Sequence, residues 1–196
     1  MAKNSKFDRV QVVDKAVDLY WEKGFHGTSM RNLQEVIDMR PGSIYATFGS
    51  KEGLFKESLQ RYTQSGILHL EQCCQEQKSP LLGLKSFIHQ IVVEKRSSAP
   101  SGMCMLVKTV TELTNENEEL LAEAKRSLKI MESEFEKVLK QAQEIGEIEI
   151  EKEKDTKQLA QFVQVQIAGL RTYARTVDSD LPLQNMLDNM FSHYPF

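Results

Sequence analysis

The stretch Thr28–Phe55, TSMRNLQEVIDMRPGSIYATFGSKEGLF, decides the fold of this 196-residue chain. Thr28 or Ser29 supplies a hydroxyl that can accept from a free first-turn amide, and Asn32 stands three residues after Ser29, where a capping box closes. Met30, Leu33, Val36 and Ile37 then recur at helical spacing and predict one buried stripe. Asp38 falls where the chain must turn; aspartate tolerates a left-handed backbone, although glycine does so more easily. Pro41 suits the first turn of a second helix because its missing amide would be unpaired there anyway. Ile44 and Phe48, four apart, face the core, so Ser43, Tyr45 and Thr47 point elsewhere. Gly49 ends that helix and Ser50 caps a third.

Two helices joined by a tight turn, the second short and outward-facing, form the layout that inserts a helix into the DNA major groove. Outward from it, residues 9–23 predict a first helix with Val13, Ala16, Val17 and Tyr20 on one face, Gly24 as terminator, and Trp21 packed off the stripe against the rest of the molecule. A long helix from Lys51 to about Gln75 connects to a larger body. There, Ser79-Pro80 starts a helix to about Ser97, SSAPSG (97–102) is a loop, and a short helix covers Met103–Leu113. Asn115 caps a long helix to about Glu144, and IGEIEIEKEK (145–154) is a solvated acidic connector. Two apolar helices close the chain, Thr156–Ala174 and Leu183–Tyr194.

The fold class is therefore all-α: a three-helix helix-turn-helix domain over 1–50, then a larger helical domain over 51–196. No run approaches a membrane span and no apolar leader opens the chain, so a soluble, cytoplasmic protein without membrane partners is expected. Three cysteines (Cys73, Cys74, Cys104) argue against a disulfide framework. The four histidines are scattered and no Gly-rich phosphate loop occurs; neither enzyme chemistry, nor a metal, nor a cofactor is expected. The net charge is −3, but residues 1–62 carry ten Lys and Arg against eight Asp and Glu, whereas the remainder carries 15 against 20. Binding to DNA would then rest on a few placed groups and on two copies.

The motif resembles that of TetR-type repressors: Gly24-Phe25, Thr28-Ser29-Met30, Gly42-Ser43-Ile44-Tyr45, Phe48, Ser50-Lys51-Glu52 and Leu54-Phe55. Asp38 departs from the usual turn glycine, and Arg40-Pro41 from a common Ser-Lys. The resemblance implies a repressor that binds a palindromic double-stranded DNA operator as a homodimer and is released by an as yet unidentified small-molecule effector or a thiol-reactive signal. An adaptor acting through protein contacts alone is the alternative. The resemblance to the repressors places Tyr45, Lys51, and Thr28 or Ser29 at phosphates, with Arg40, Ser43 and Thr47 as candidates for base edges. It also implies a four-helix dimer interface from the last two helices, through Phe162, Gln166, Gly169, Leu170, Tyr173, Leu183, Met186, Leu187, Met190 and Phe191. Gly169 costs about 1 kcal/mol in a helix interior compared with alanine, which close helix contact would explain. Candidate lining for an adaptable apolar pocket comes from Phe87, Ile91, Met103, Cys104, Met105, Leu106, Val110, Met131 and Phe135. The segment from Ser101 to Lys108 resembles the region holding a sensing thiol in an electrophile- and oxidant-responsive branch of the family. Lys108, one helical turn beyond Cys104, would there favour the thiolate.

Overall fold

The computed structural model describes residues 8–148 and 155–192. Within them the regular structure is helical: α1 (Arg9–Lys23), α2 (Met30–Ile37), α3 (Pro41–Phe48), α4 (Lys51–Glu76), α5 (Pro80–His89), α6 (Met105–Glu112), α7 (Glu118–Glu144), α8 (Thr156–Tyr173) and α9 (Leu181–Ser192). Most of the acidic connector, from 149 to 154, and the last four residues lie outside the described residues.

Local chemistry sets the ends of these helices. Asp8 accepts from the amides of Val10 and Gln11 to start α1, and Gly24 ends it at φ +77°. Ser29 and Asn32 form the capping box of α2 reciprocally. Asp38 takes the left-handed conformation, φ 54° and ψ 45°, that the turn into α3 requires. Ser50 accepts from Gly53, and α4 then runs for 26 residues, close to 40 Å at about 1.5 Å per residue. The Asn115 cap is displaced: Thr114 caps a 3-10 turn over Asn115–Asn117, and Asn117 precedes α7. After α5 the helix widens over Gln90–Glu94, where Lys95 donates to the Gln90 carbonyl five residues back at 2.9 Å. Such a π turn inserts an extra residue into the helix, and Ile91 and Lys95, within and just after it, line one cavity.

Two apolar cores organise the molecule. One joins α1–α3 to the first half of α4 and to α6 and the start of α7, through Tyr20, Leu33, Ile44, Phe55, Leu59, Met105, Leu106 and Leu120. The other packs α5 and α7–α9 around the second half of α4. The helix-turn-helix therefore closes its core only with α6 and α7 of the larger body. Val36, expected in the buried stripe of α2, stays 40 % exposed, because Leu33 and Ile37 already fill the contact with α1.

Candidate nucleic-acid interface and ligand cavity

The two faces of α3 divide as their spacing requires. Ile44 and Phe48 are buried, whereas Arg40, Ser43 and Tyr45 are exposed, Tyr45 at 49 %. Among the described residues no hydrogen bond or ion pair engages the side chains of these three. Thr47 is half-buried, and its carbonyl accepts from the Arg9 guanidinium at 3.4 Å. Arg9 also pairs with Glu57 and lies 4.7 Å from the Phe48 ring centroid, tying the end of α3 to α1 and α4.

Two expected phosphate contacts are corrected. Thr28 is wholly buried: its hydroxyl donates to the Gly24 carbonyl at 2.7 Å and its amide to Phe25. Of the two adjacent hydroxyls, Ser29 takes the cap and remains exposed, while Thr28 braces the turn after α1. Lys51 folds back instead of projecting. Its ammonium donates to the Phe25 carbonyl at 2.7 Å and sits 4.2 Å from the Phe25 ring centroid. Burial pulls its pKa below the ordinary lysine value, with Glu52 and Glu112 opposing that shift.

A cavity of about 520 Å³ opens where α1, α4, the π turn, α6, α7 and α8 meet. Of the residues named as candidates for a pocket, Phe87, Ile91, Cys104, Leu106, Met131 and Phe135 line it. Met103, Met105 and Val110 do not. Each residue turns about 100° round the helix, so Cys104 and Val107 face the cavity while Met105 enters the core behind it. Val110 packs against that same core, and the Met103 carbonyl accepts from Trp21 Nε1 at 2.6 Å.

Sequence reasoning missed the polar side of this cavity. Asp14, Asp18 and Trp21 of α1 form one wall, so a helix packed with the helix-turn-helix borders the cavity directly. Arg61 forms a two-pronged pair with Asp14 at 2.6 and 3.1 Å. Burial and the nearby Asp14 carboxylate push the Asp18 pKa up. Arg171 is buried. It donates to the carbonyls of Gly102 (3.1 Å) and Met103 (3.2 Å) and to the Tyr62 hydroxyl (3.3 Å). Tyr62 donates on to Cys104 Sγ at 3.7 Å. Burial and the Cys104 thiol push the Tyr62 phenol up, against the pull of Arg171, so it remains a donor at neutral pH. Gln164 Oε1 is buried with no partner among the described residues. The helical periods of α1 and α8 carried these residues, but no pattern in one segment announced where the two helices would meet.

Lys108 does not face the thiol: its ammonium donates to the main-chain oxygens of Trp21 and Glu22. Burial pushes the thiols of Cys73 and Cys74 up, which disfavours the reactive thiolate. The expected dimer set also divides. Leu170, Leu183, Leu187 and Met190 belong to the protomer's own core, with Phe162 and Phe191 half-buried against it. Along α8, Leu159, Val163, Ile167 and Leu170 face inward, which leaves Val165 (66 % exposed), Gly169 and Tyr173 outward; Met186 of α9 is exposed as well. A Cβ built on Gly169 meets nothing within 4 Å in the protomer. Among the described residues no cluster could hold a metal ion, and no helix is long and apolar enough to cross a membrane.

A short outward helix behind a fixed turn, carried on a helical body with a cavity, defines a one-chain helix-turn-helix regulator. Residues 12–58 match the model described as bacterial regulatory proteins, tetR family, and residues 80–190 match the tetracyclin repressor-like C-terminal domain. The chain is 30 % identical over 170 residues to the HTH-type transcriptional repressor ComR of Escherichia coli (strain K12), covering 86 % of this chain and 80 % of ComR. It is 25 % identical over 189 residues to the transcriptional regulator YezE of Bacillus subtilis (strain 168), covering 96 % of each. The fold is shared with a cysteine mutant of the TetR family regulator CifR complexed with 26-bp operator DNA (TM-score 0.84, 24 % identity, covering 98 % of this chain and 100 % of that one). It is shared also with the reduced form of E. coli NemR (TM-score 0.77, 19 % identity, covering 93 % and 95 %). The chain belongs to the TetR family of bacterial regulatory proteins: it is a DNA-binding transcription regulator and not an enzyme.

Proposed function

We propose that this chain represses transcription by binding a palindromic operator as a homodimer, and that occupation of its cavity, or modification of Cys104 within it, releases the DNA. The observation that carries this reading is the outward face of α3, where Arg40, Ser43 and Tyr45 stand exposed and unengaged over a fully packed inner face. Arg40 is the candidate for bidentate contact to a guanine edge, Ser43 and Thr47 for adjacent bases, and Tyr45 and Ser29 for phosphates. Lys51 serves by positioning α4 against the turn after α1, and not by reaching the duplex.

Homodimerisation is supported by the row Val165, Gly169 and Tyr173, exposed and opposite the inward face of α8, and by the exposed Met186 of α9. A two-fold pair matches a two-fold operator, with Gly169 allowing close approach of a partner helix. Release is supported by the cavity reaching α1 itself. A ligand that bridges the α1 wall and the α7–α8 wall would feel any change in their relative placement, and release requires that it bind the DNA-free placement more tightly. Cys104 places a thiol in that wall.

Selection from random duplex DNA followed by a salt titration of binding tests the reading. Binding to an inverted repeat, with log affinity falling linearly against log salt, is expected. Failure to enrich any sequence, or affinity indifferent to salt, overturns it.

A further inference from the structure

Around the end of α1, five backbone polar groups are held by three charged side chains from other helices. Lys108 Nζ donates to the carbonyls of Trp21 (3.2 Å) and Glu22 (2.7 Å), which helix termination leaves without intrahelical partners. Four residues on, the Glu112 carboxylate accepts from the amides of Phe25 (3.2 Å) and His26 (2.7 Å). Lys51 takes the Phe25 carbonyl. The signs are complementary: a cation meets the negative end of α1, and an anion meets free amides in the turn beyond it. Gly24 admits the carboxylate, since at φ +77° a Cβ there would lie 2.3 Å from Glu112 Oε2.

Lys108 and Glu112 sit on α6, an eight-residue helix about 12 Å long. Cys104, Leu106 and Val107 at its start line the cavity; its far end grips the helix-turn-helix. We propose that Lys108 and Glu112 are positioning residues for operator binding: they clamp α1 and the turn before α2 to the cavity wall, and so set the angle at which α3 is presented. This rests on the operator-binding reading above. A shift of α6 at the cavity end moves both grips together, because they lie one turn apart on one rigid helix.

The full-length protein with Glu112→Gln or Lys108→Met tests this, with Lys108→Arg as the conservative rescue. Amide exchange over residues 22–28, operator affinity, the salt slope of that affinity and Tm are read together. The proposal expects at least tenfold faster exchange confined to that segment, and about tenfold weaker operator binding at an unchanged salt slope. It expects Lys108→Arg within threefold of wild type. Unchanged exchange, or a lowered Tm with wild-type affinity, reduces the pair to a structural brace and overturns the proposal. A smaller salt slope in Lys108→Met also overturns it, because Lys108 would then be a phosphate contact. Should Glu112→Gln not fold, Lys108→Met removes one grip while leaving the carboxylate in place. Wild-type protein that binds no selected DNA removes the operator reading itself, whereas bound wild type with indifferent variants removes the clamp alone.

Discussion

Replacing Val165 with glutamate separates the proposed dimer face from the protomer core. Val165 is 66 % exposed in the protomer, so its methyls contribute little to folding and have most of their burial still to gain. Full burial of such a side chain contributes about 1.5–3 kcal/mol, and two-thirds of that, about 1–2 kcal/mol, remains for dimerisation. A two-fold interface counts each substitution twice, so the lost burial alone amounts to about 2–4 kcal/mol. Two carboxylates brought to the same seam must also lose water or keep the helices apart, which adds cost of the same sign. At about 1.4 kcal/mol per tenfold, the dimer should weaken by roughly a hundred- to a thousandfold. Sedimentation across protein concentration reads this directly, with far-ultraviolet circular dichroism and Tm confirming an intact protomer. Leu187→Ala is the contrast: Leu187 is 1 % exposed within the protomer, so it should lose about 2–5 kcal/mol of folding stability instead. A Val165→Glu dimer within threefold of wild type would refute the assignment of α8 to the interface.

Tyr45→Phe would remove the proposed hydrogen bond to a charged phosphate in each half-site, of order 1.5–3 kcal/mol apiece, and should weaken operator binding at least tenfold with Tm unchanged. Arg40→Gln should relax preference at one base pair per half-site by about 1–3 kcal/mol, measured by selection with the variant. At the turn, Asp38→Ala should lose about 1 kcal/mol, because alanine lacks the local hydrogen bonding that eases φ +54°, while Asp38→Gly should not; equal losses in thermal unfolding would contradict the left-handed turn. Burial first, and Asp14 second, raise the Asp18 pKa above its unfolded value near 3.8. Wild-type stability from this group is thus fully present below that value and is lost as pH rises through the raised pKa. Asp18→Asn should therefore gain Tm over wild type at neutral pH, with the gain vanishing below about pH 4. A gain independent of pH would contradict the titration.

The segment that quoted its own punctuation was legible from sequence. Asp38, Pro41, Gly49 and Ser50 fix the ends of α2–α4 by local chemistry, and the structure places the end of α2, all of α3 and the start of α4 where they predict. Choices between neighbours were less so. Thr28 and Ser29 carry the same hydroxyl, and only the packing of the turn after α1 sends one inward and the other to the cap. Helices α8 and α9 are apolar on more than one side, so periodicity cannot say which leucines serve the protomer and which residues face a partner. The π turn was hidden because an extra residue in a helix leaves the apolar content unchanged. In the sequence Lys108 reads as a neighbour of Cys104, and Glu112 and Arg171 enter no motif. Their roles arise from backbone groups far away in sequence, which no local pattern encodes.

Methylation protection of guanine N7 on the selected operator tests the central claim most directly, because that atom lies in the major groove where α3 would sit. The account predicts two symmetry-related patches of protection, centred one helical turn of roughly 34–36 Å apart or a multiple of it, with protection at one guanine in each patch lost in Arg40→Gln. A single patch, or bound DNA whose guanines stay fully reactive, would contradict it.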